Sequence, residues 1–160
     1  MQMPVRRHTI LSLAVLLMLS ISFTDAFSFD MPTTQKYVNA YNTQIDNIPA
    51  VVKSMLGSEK INMIVTREDG SVFSVGMDMV SARIERTVEG GISDPTIIVT
   101  TTQSALSEVG RSKDRIAAFK TQTDAGQIRF EGKNWLADAK IKALLSSTSF
   151  LQFGYDLFFG

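Results

Sequence analysis

The chain has 160 residues, 44% hydrophobic and 20% charged, with 16 basic against 16 acidic side chains, one histidine and no cysteine. That length supports one domain with one core, and the balanced charge argues against a nucleic-acid binder, which would carry a basic excess. Disulfides, thiol nucleophiles and cysteine-bound metals are excluded outright.

Residues 1–26 have the layout of a secretory signal. Arg6, Arg7 and His8 precede an uncharged apolar run from Ile10 to Phe23, and Thr24-Asp25-Ala26 places small residues at the two positions a signal peptidase inspects. The run is shorter than the ~20 residues that cross a bilayer. Cleavage makes the protein secreted, periplasmic or otherwise extracytoplasmic; an uncleaved anchor and a buried N-terminal helix are the other readings of the run. Without Arg6, Arg7 and Asp25 the remaining chain, 27–160, carries one net negative charge and neither His nor Cys.

Phe27 to Thr34 is a short opening segment containing Pro32. From Gln35 to Leu56 the apolar residues Tyr37, Val38, Tyr41, Ile45, Ile48, Val51, Val52, Met55 and Leu56 recur at spacings of three and four. This is helical periodicity, with Pro49 as a kink or break and Gly57 as the stop. The period then changes to two. Ile61, Met63 and Val65 alternate with polar neighbours, Glu68-Asp69-Gly70-Ser71 supplies a hairpin turn, and Phe73, Val75, Met77 and Met79 line one face of the next strand. Beyond Val80 the parity shifts, setting Ala82, Ile84 and Val88 inward and Arg83, Glu85 and Thr87 outward. Arg86 falls on the inward parity, near a frayed or bulged strand end. Glu89-Gly90-Gly91 and Ser93-Asp94-Pro95 are turn signals, and β-branched Thr96 to Thr101 makes a fourth strand. Short links between the four imply an antiparallel meander.

A helix opens at Thr102 or Gln103 and runs to Val109, where Gly110 breaks it; Ser112-Lys113-Asp114 begins another that carries Ile116, Ala117 and Phe119. After the turn Asp124-Ala125-Gly126, Gln127 to Glu131 alternates as a fifth strand. A last helix spans Asn134 to Ser146, with Trp135, Leu136, Ala139, Ile141, Ala143, Leu144 and Leu145 assigned to its apolar face. The order α-ββββ-αα-β-α gives an α+β fold: a five-stranded, mainly antiparallel sheet covered on one face by helices. The domain is set at 27–146, followed by a tail, 147–160, in which Phe150, Leu151, Phe153, Tyr155, Leu157, Phe158 and Phe159 crowd together. A chain end that apolar must be buried against something.

Catalysis finds little support. With no His or Cys beyond residue 26, a general base would have to be a carboxylate or a lysine, and no close inward-facing carboxylate pair stands in one strand or helix. No P-loop, dinucleotide fingerprint or calcium loop is present. No enzyme activity, metal or cofactor is expected. Arg86 either pairs with a lipid carboxylate or headgroup or snorkels at the sheet end.

The element order and several stretches resemble the sterol carrier protein type 2 family of lipid-binding domains. Asp94-Pro95-Thr96-Ile97-Ile98-Val99-Thr100 is similar to that family's strand after an acidic turn. The helix Gln103 to Val109, the Ala118-Phe119 pair, the segment Gly126-Gln127-Ile128-Arg129-Phe130-Glu131-Gly132 and the amphipathic helix to Leu145 follow in the family's order. The resemblance spans Ile61 to Leu145. It departs in a longer link, Thr121 to Ala125, in the bulk of Trp135, and in the export signal; the terminal Phe-Phe-Gly is no peroxisomal address. The resemblance implies a carrier of a hydrophobic small molecule (fatty acid, isoprenoid or sterol-like lipid) in a cavity lined by Phe73, Val75, Met77, Ile84, Ile116, Phe119, Trp135 and Leu136, with Met63 and Met79 as adaptable lining. Phe150 and Phe153 in the tail would form a lid that swings out in transient contact with a membrane surface. The alternative is a non-transporting interaction or dimerisation module whose groove is filled by its own side chains or by a partner.

Overall fold

The computed structural model describes residues 28–47, 50–147 and 151. The signal-like segment and most of the aromatic tail, including Phe150 and Phe153, lie outside those residues. Helix α1 (Met31–Gln44) starts earlier than the apolar spacing suggests. Asp30 caps it, accepting the Thr33 N–H at 2.8 Å, and Pro32 sits in the first turn, where a missing N–H leaves no bond unmade. A 3-10 turn, Ile45–Asn47, leads toward α2 (Ala50–Leu56). The expected break at Pro49 falls outside the described residues.

Five strands follow: β1 (Lys60–Thr66), β2 (Val72–Val80), β3 (Arg83–Glu89), β4 (Ile97–Thr102) and β5 (Arg129–Gly132). They form one sheet in the order β3-β2-β1-β4-β5. Alternation holds along the central strands: Ile61, Met63, Val65, Phe73, Val75, Met77, Met79, Ile97 and Val99 are all buried on the inner face. The helices α3 (Gln103–Arg111), α4 (Arg115–Asp124) and α5 (Trp135–Ser146) share one core with them. Leu151, from the segment expected as tail, is buried in that core as well.

The meander ends after three strands. β4 pairs parallel with β1, while the other three pairings are antiparallel. To reach that place the chain from Gly90 to Thr96 crosses the outer face of β2 and β1. Asn62 holds the crossing segment like a piece of strand, donating from Nδ2 to the Ile92 carbonyl at 2.8 Å and accepting the Ile92 N–H at 2.7 Å. Gly76 makes room beneath it, since a Cβ there would lie 2.5 Å from Ile92 Cγ1 and 2.7 Å from its backbone nitrogen. The paired glycines at 90 and 91 are thus the start of a crossover, and not only a turn.

A bulge in the β2–β3 pairing between Asp78 and Met79 corrects the parity of β3. Met79 pairs with Ile84, but Asp78 pairs with Arg86 and Met77 with Thr87. The extra residue throws Arg86 to the outer face, where its guanidinium meets the Asp78 carboxylate at 3.2 Å with the Arg86 side chain more than half exposed. Arg86 therefore does not point inward. Among the described residues no helix is long and apolar enough to cross a membrane.

Candidate functional site

Between α5 and the sheet lies a cavity of about 60 Å³. Its floor is two rows of the sheet. Met77, Ile61 and Ile97 stand side by side in one row, and Met63, Val99 and Phe130 in the next. Leu56 of α2 and Ile141, Leu144 and Leu145 of α5 complete the wall. Every described lining residue is apolar, so none of them offers a strong hydrogen bond or a charge.

Local sequence explains how α5 reaches this position. Asn134 caps it, accepting the Ala137 N–H at 2.9 Å. Gly132 then lets β5 press on the helix backbone, since a Cβ at that point would lie 2.2 Å from the Asp138 nitrogen. A partly buried ion pair clamps the middle of the helix. Lys140 Nζ lies 2.5 Å from Glu59 Oε1, and the Thr96 hydroxyl donates to Glu59 Oε2 at 2.6 Å. Glu59 sits between two lining residues in the chain, Leu56 and Ile61, and Lys140 precedes a third, Ile141. The pair thus ties the end of β1 to the helix that roofs the cavity.

Of the described residues expected to line a site, only Met77 does so directly; Met63, expected as adaptable lining, joins it. Phe73, Val75 and Ile84 are buried in the core without lining the cavity, Val75 beside the lining residue Met63 and Phe73 beneath the Arg67 guanidinium at 5.4 Å. Phe119 is buried and its ring stands 6.2 Å from that of Phe130, so it backs the cavity wall, and Ile116 packs at the margin of the core. Trp135 and Leu136 are corrections. Both face outward, 82% and 50% exposed, because Ala137, Ile141 and Leu144 form the buried stripe of α5. Ala139 and Ala143 are exposed too.

The displacement of the site follows from the crossover. A meander would set β4 beside β3 and centre the cavity near Phe73, Val75 and Ile84. Pairing with β1 instead brings Ile97 and Val99 next to Ile61 and Met63, and β5 adds Phe130. Strand parity had marked Ile61 and Met63 as inward; nothing local marked Ile141 and Leu144 over Trp135 and Leu136.

No protein-family model matches the sequence, and no curated protein is significantly similar to it. Solved structures are similar. Conserved hypothetical protein TT1886 of Thermus thermophilus, a proposed sterol carrier protein, superposes with a TM-score of 0.54 over 85% of this chain and 93% of its own, at 11% identity. The fold is that of sterol carrier protein type 2. Sterol carrier protein domain 2 of Helicoverpa armigera matches over 76% of this chain and 94% of its own, with 14% identity and a TM-score of 0.49. The SCP2 domain of UbiJ, a ubiquinone synthesis protein, matches over 74% and 92%, with 18% identity and a TM-score of 0.49. At such identities the likeness to sterol carrier proteins is one of fold, the expected α+β architecture with its sheet covered on one face.

Proposed function

We propose that the protein is an exported carrier that holds the alkyl part of a hydrophobic small molecule in the cavity under α5. The observation that supports this reading is an all-apolar lining within a sterol carrier fold. Moving an alkyl chain from water into such a lining contributes about 0.8 kcal/mol per methylene. Affinity then follows chain length, without a specific contact, for a fatty acid, an isoprenoid or a sterol-like lipid alike.

In this reading the protein binds and releases its cargo without transforming it. Among the described residues no nucleophile or titratable side chain lines the cavity, and the nearby Glu59 and Lys140 neutralise each other. Export is inferred from the Ile10 to Phe23 run and from Ala26. Cargo exchange takes place at a membrane surface. The cavity's size favours a second reading, a non-transporting module whose groove is filled by its own side chains. About 60 Å³ is only a few times the ~10–15 Å³ that one water needs.

Native mass spectrometry of the purified protein, followed by organic extraction, decides between them. A co-purifying lipid that disappears when Leu144→Trp fills the cavity is the expected result. A clean protein mass, together with failure to take up a fluorescent fatty acid, overturns the carrier reading and leaves the filled module.

A further inference from the structure

Helix α5 is apolar on two sides. Its inner stripe of Ala137, Ile141 and Leu144 is in the core, yet its outer side shows Trp135 at 82% and Leu136 at 50% exposure, with Ala139 and Ala143 also exposed. Apolar side chains gathered on the solvent side of a helix mark a contact surface. We propose that the outer side of α5 is a docking surface for a zwitterionic lipid bilayer, with Trp135 and Leu136 seated at the headgroup level. The proposal rests on the carrier reading above and names where that carrier meets the membrane.

Three observations select a lipid surface over a protein. First, the patch is small. Two side chains offer at most a few hundred Å², well below the roughly 800 Å² per partner that a stable dimer buries. Second, the charges beside it are already matched: Lys142 to Asp138 at 2.6 Å, Lys133 to Glu131 at 2.7 Å and Lys140 to Glu59. A protein partner reading charge has little to complement, and an anionic lipid gains little over a neutral one. Third, the helix is shared. The element that shows an indole to solvent also roofs the cavity with Ile141, Leu144 and Leu145. Indole rings favour the boundary between headgroups and acyl chains, so docking there brings the cavity roof to the layer in which an alkyl cargo resides.

Trp135 is the chain's one tryptophan, so its fluorescence reports on this surface alone. In buffer its emission should be that of an exposed indole, freely quenched by iodide. Phosphatidylcholine vesicles should shift it to the blue and shield it from iodide, and brominated phosphatidylcholine should quench it. Trp135→Ala with Leu136→Ser should weaken vesicle partitioning about tenfold while leaving uptake of a fluorescent fatty acid in solution intact. Phosphatidylglycerol or about 0.5 M salt should change partitioning less than about twofold. Emission unmoved by vesicles overturns the proposal. So does emission already blue-shifted and iodide-shielded in buffer, which would mean that a second copy or another part of the chain covers the indole. Fatty-acid uptake without indole insertion sinks the docking surface alone; indole insertion without uptake upholds it and sinks the carrier.

Discussion

Ala82 is fully buried although it lies in a turn, and both of its backbone groups are engaged. Its N–H donates to the Gly57 carbonyl at 2.6 Å, and its carbonyl accepts the Tyr41 hydroxyl. Ser81 and Ala82 form the two-residue turn between β2 and β3 with φ of +51° and +67°, the left-handed region that such turns require and that Asn or Gly fills more readily. Ser81 is exposed, and it meets Ser58 through its backbone N–H, which glycine keeps. Ser81→Gly should therefore raise stability by about 1 kcal/mol in urea denaturation. Tyr41 and Tyr37 link this region to alkaline pH. Burial pushes the Tyr37 phenol up to about 12 and Tyr41 in the same direction, against an ordinary value near 10. A group raised in the folded state keeps its proton where the unfolded chain has lost it. Its stabilising contribution is therefore whole below pH 10 and declines as pH rises through 10 toward 12. Denaturation midpoints at pH 8 and 11 should show that decline, and Tyr37→Phe should make it shallower; a flat profile would contradict the burial of both phenols.

Helices and strands were largely legible because caps and alternation are local. Asn134, Asp114 and Thr102 each cap the helix that follows, and the inward parity of β1 and β2 holds residue by residue. What escaped the sequence depends on contacts between distant segments. Gly76 and Gly132 look like ordinary glycines until the crossing segment and the α5 backbone arrive beside them. The bulge beside Arg86 was legible as a frayed or bulged strand end, though not its effect of turning Arg86 outward, and the choice of β1 over β3 as the neighbour of β4 has no composition signature. The face of α5 was ambiguous for a related reason: with apolar residues on both sides, periodicity alone could not rank Ile141 above Trp135. Gly132 tests how tightly β5 and α5 are fitted. A methyl group at 2.2 Å from the Asp138 nitrogen meets backbone, which cannot turn aside as a side chain does. Gly132→Ala should cost about 3 kcal/mol, with amide exchange accelerating first along α5. Exchange that speeds up equally in α1 would mean that the substitution loosens the whole fold and not the helix over the cavity.

At the scale of the whole molecule, the core and the cavity compete for the same side chains. The sheet rows through Met63 and Met77 and the helix residues Ile141 and Leu144 line a cavity of about 60 Å³, so a long alkyl chain must push the roof outward to be fully enclosed. Packed interiors resist such expansion, and the work of opening is subtracted from the affinity. Leu144→Ala removes part of that work in advance. In the empty protein it should lower stability by about 2–4 kcal/mol, the cost of lost contacts and an enlarged void. In the loaded protein a cargo chain fills that void, so ligand binding to the folded state returns more stability than it does in the wild type. Thermal unfolding with and without saturating fatty acid measures the difference: Leu144→Ala should unfold at a lower temperature when empty and gain more degrees on loading. Leu144→Trp, which fills the space, should gain none. If cargo sits elsewhere on the molecule, all three proteins gain equally, and the cavity under α5 is a packing defect of the core and not a binding site.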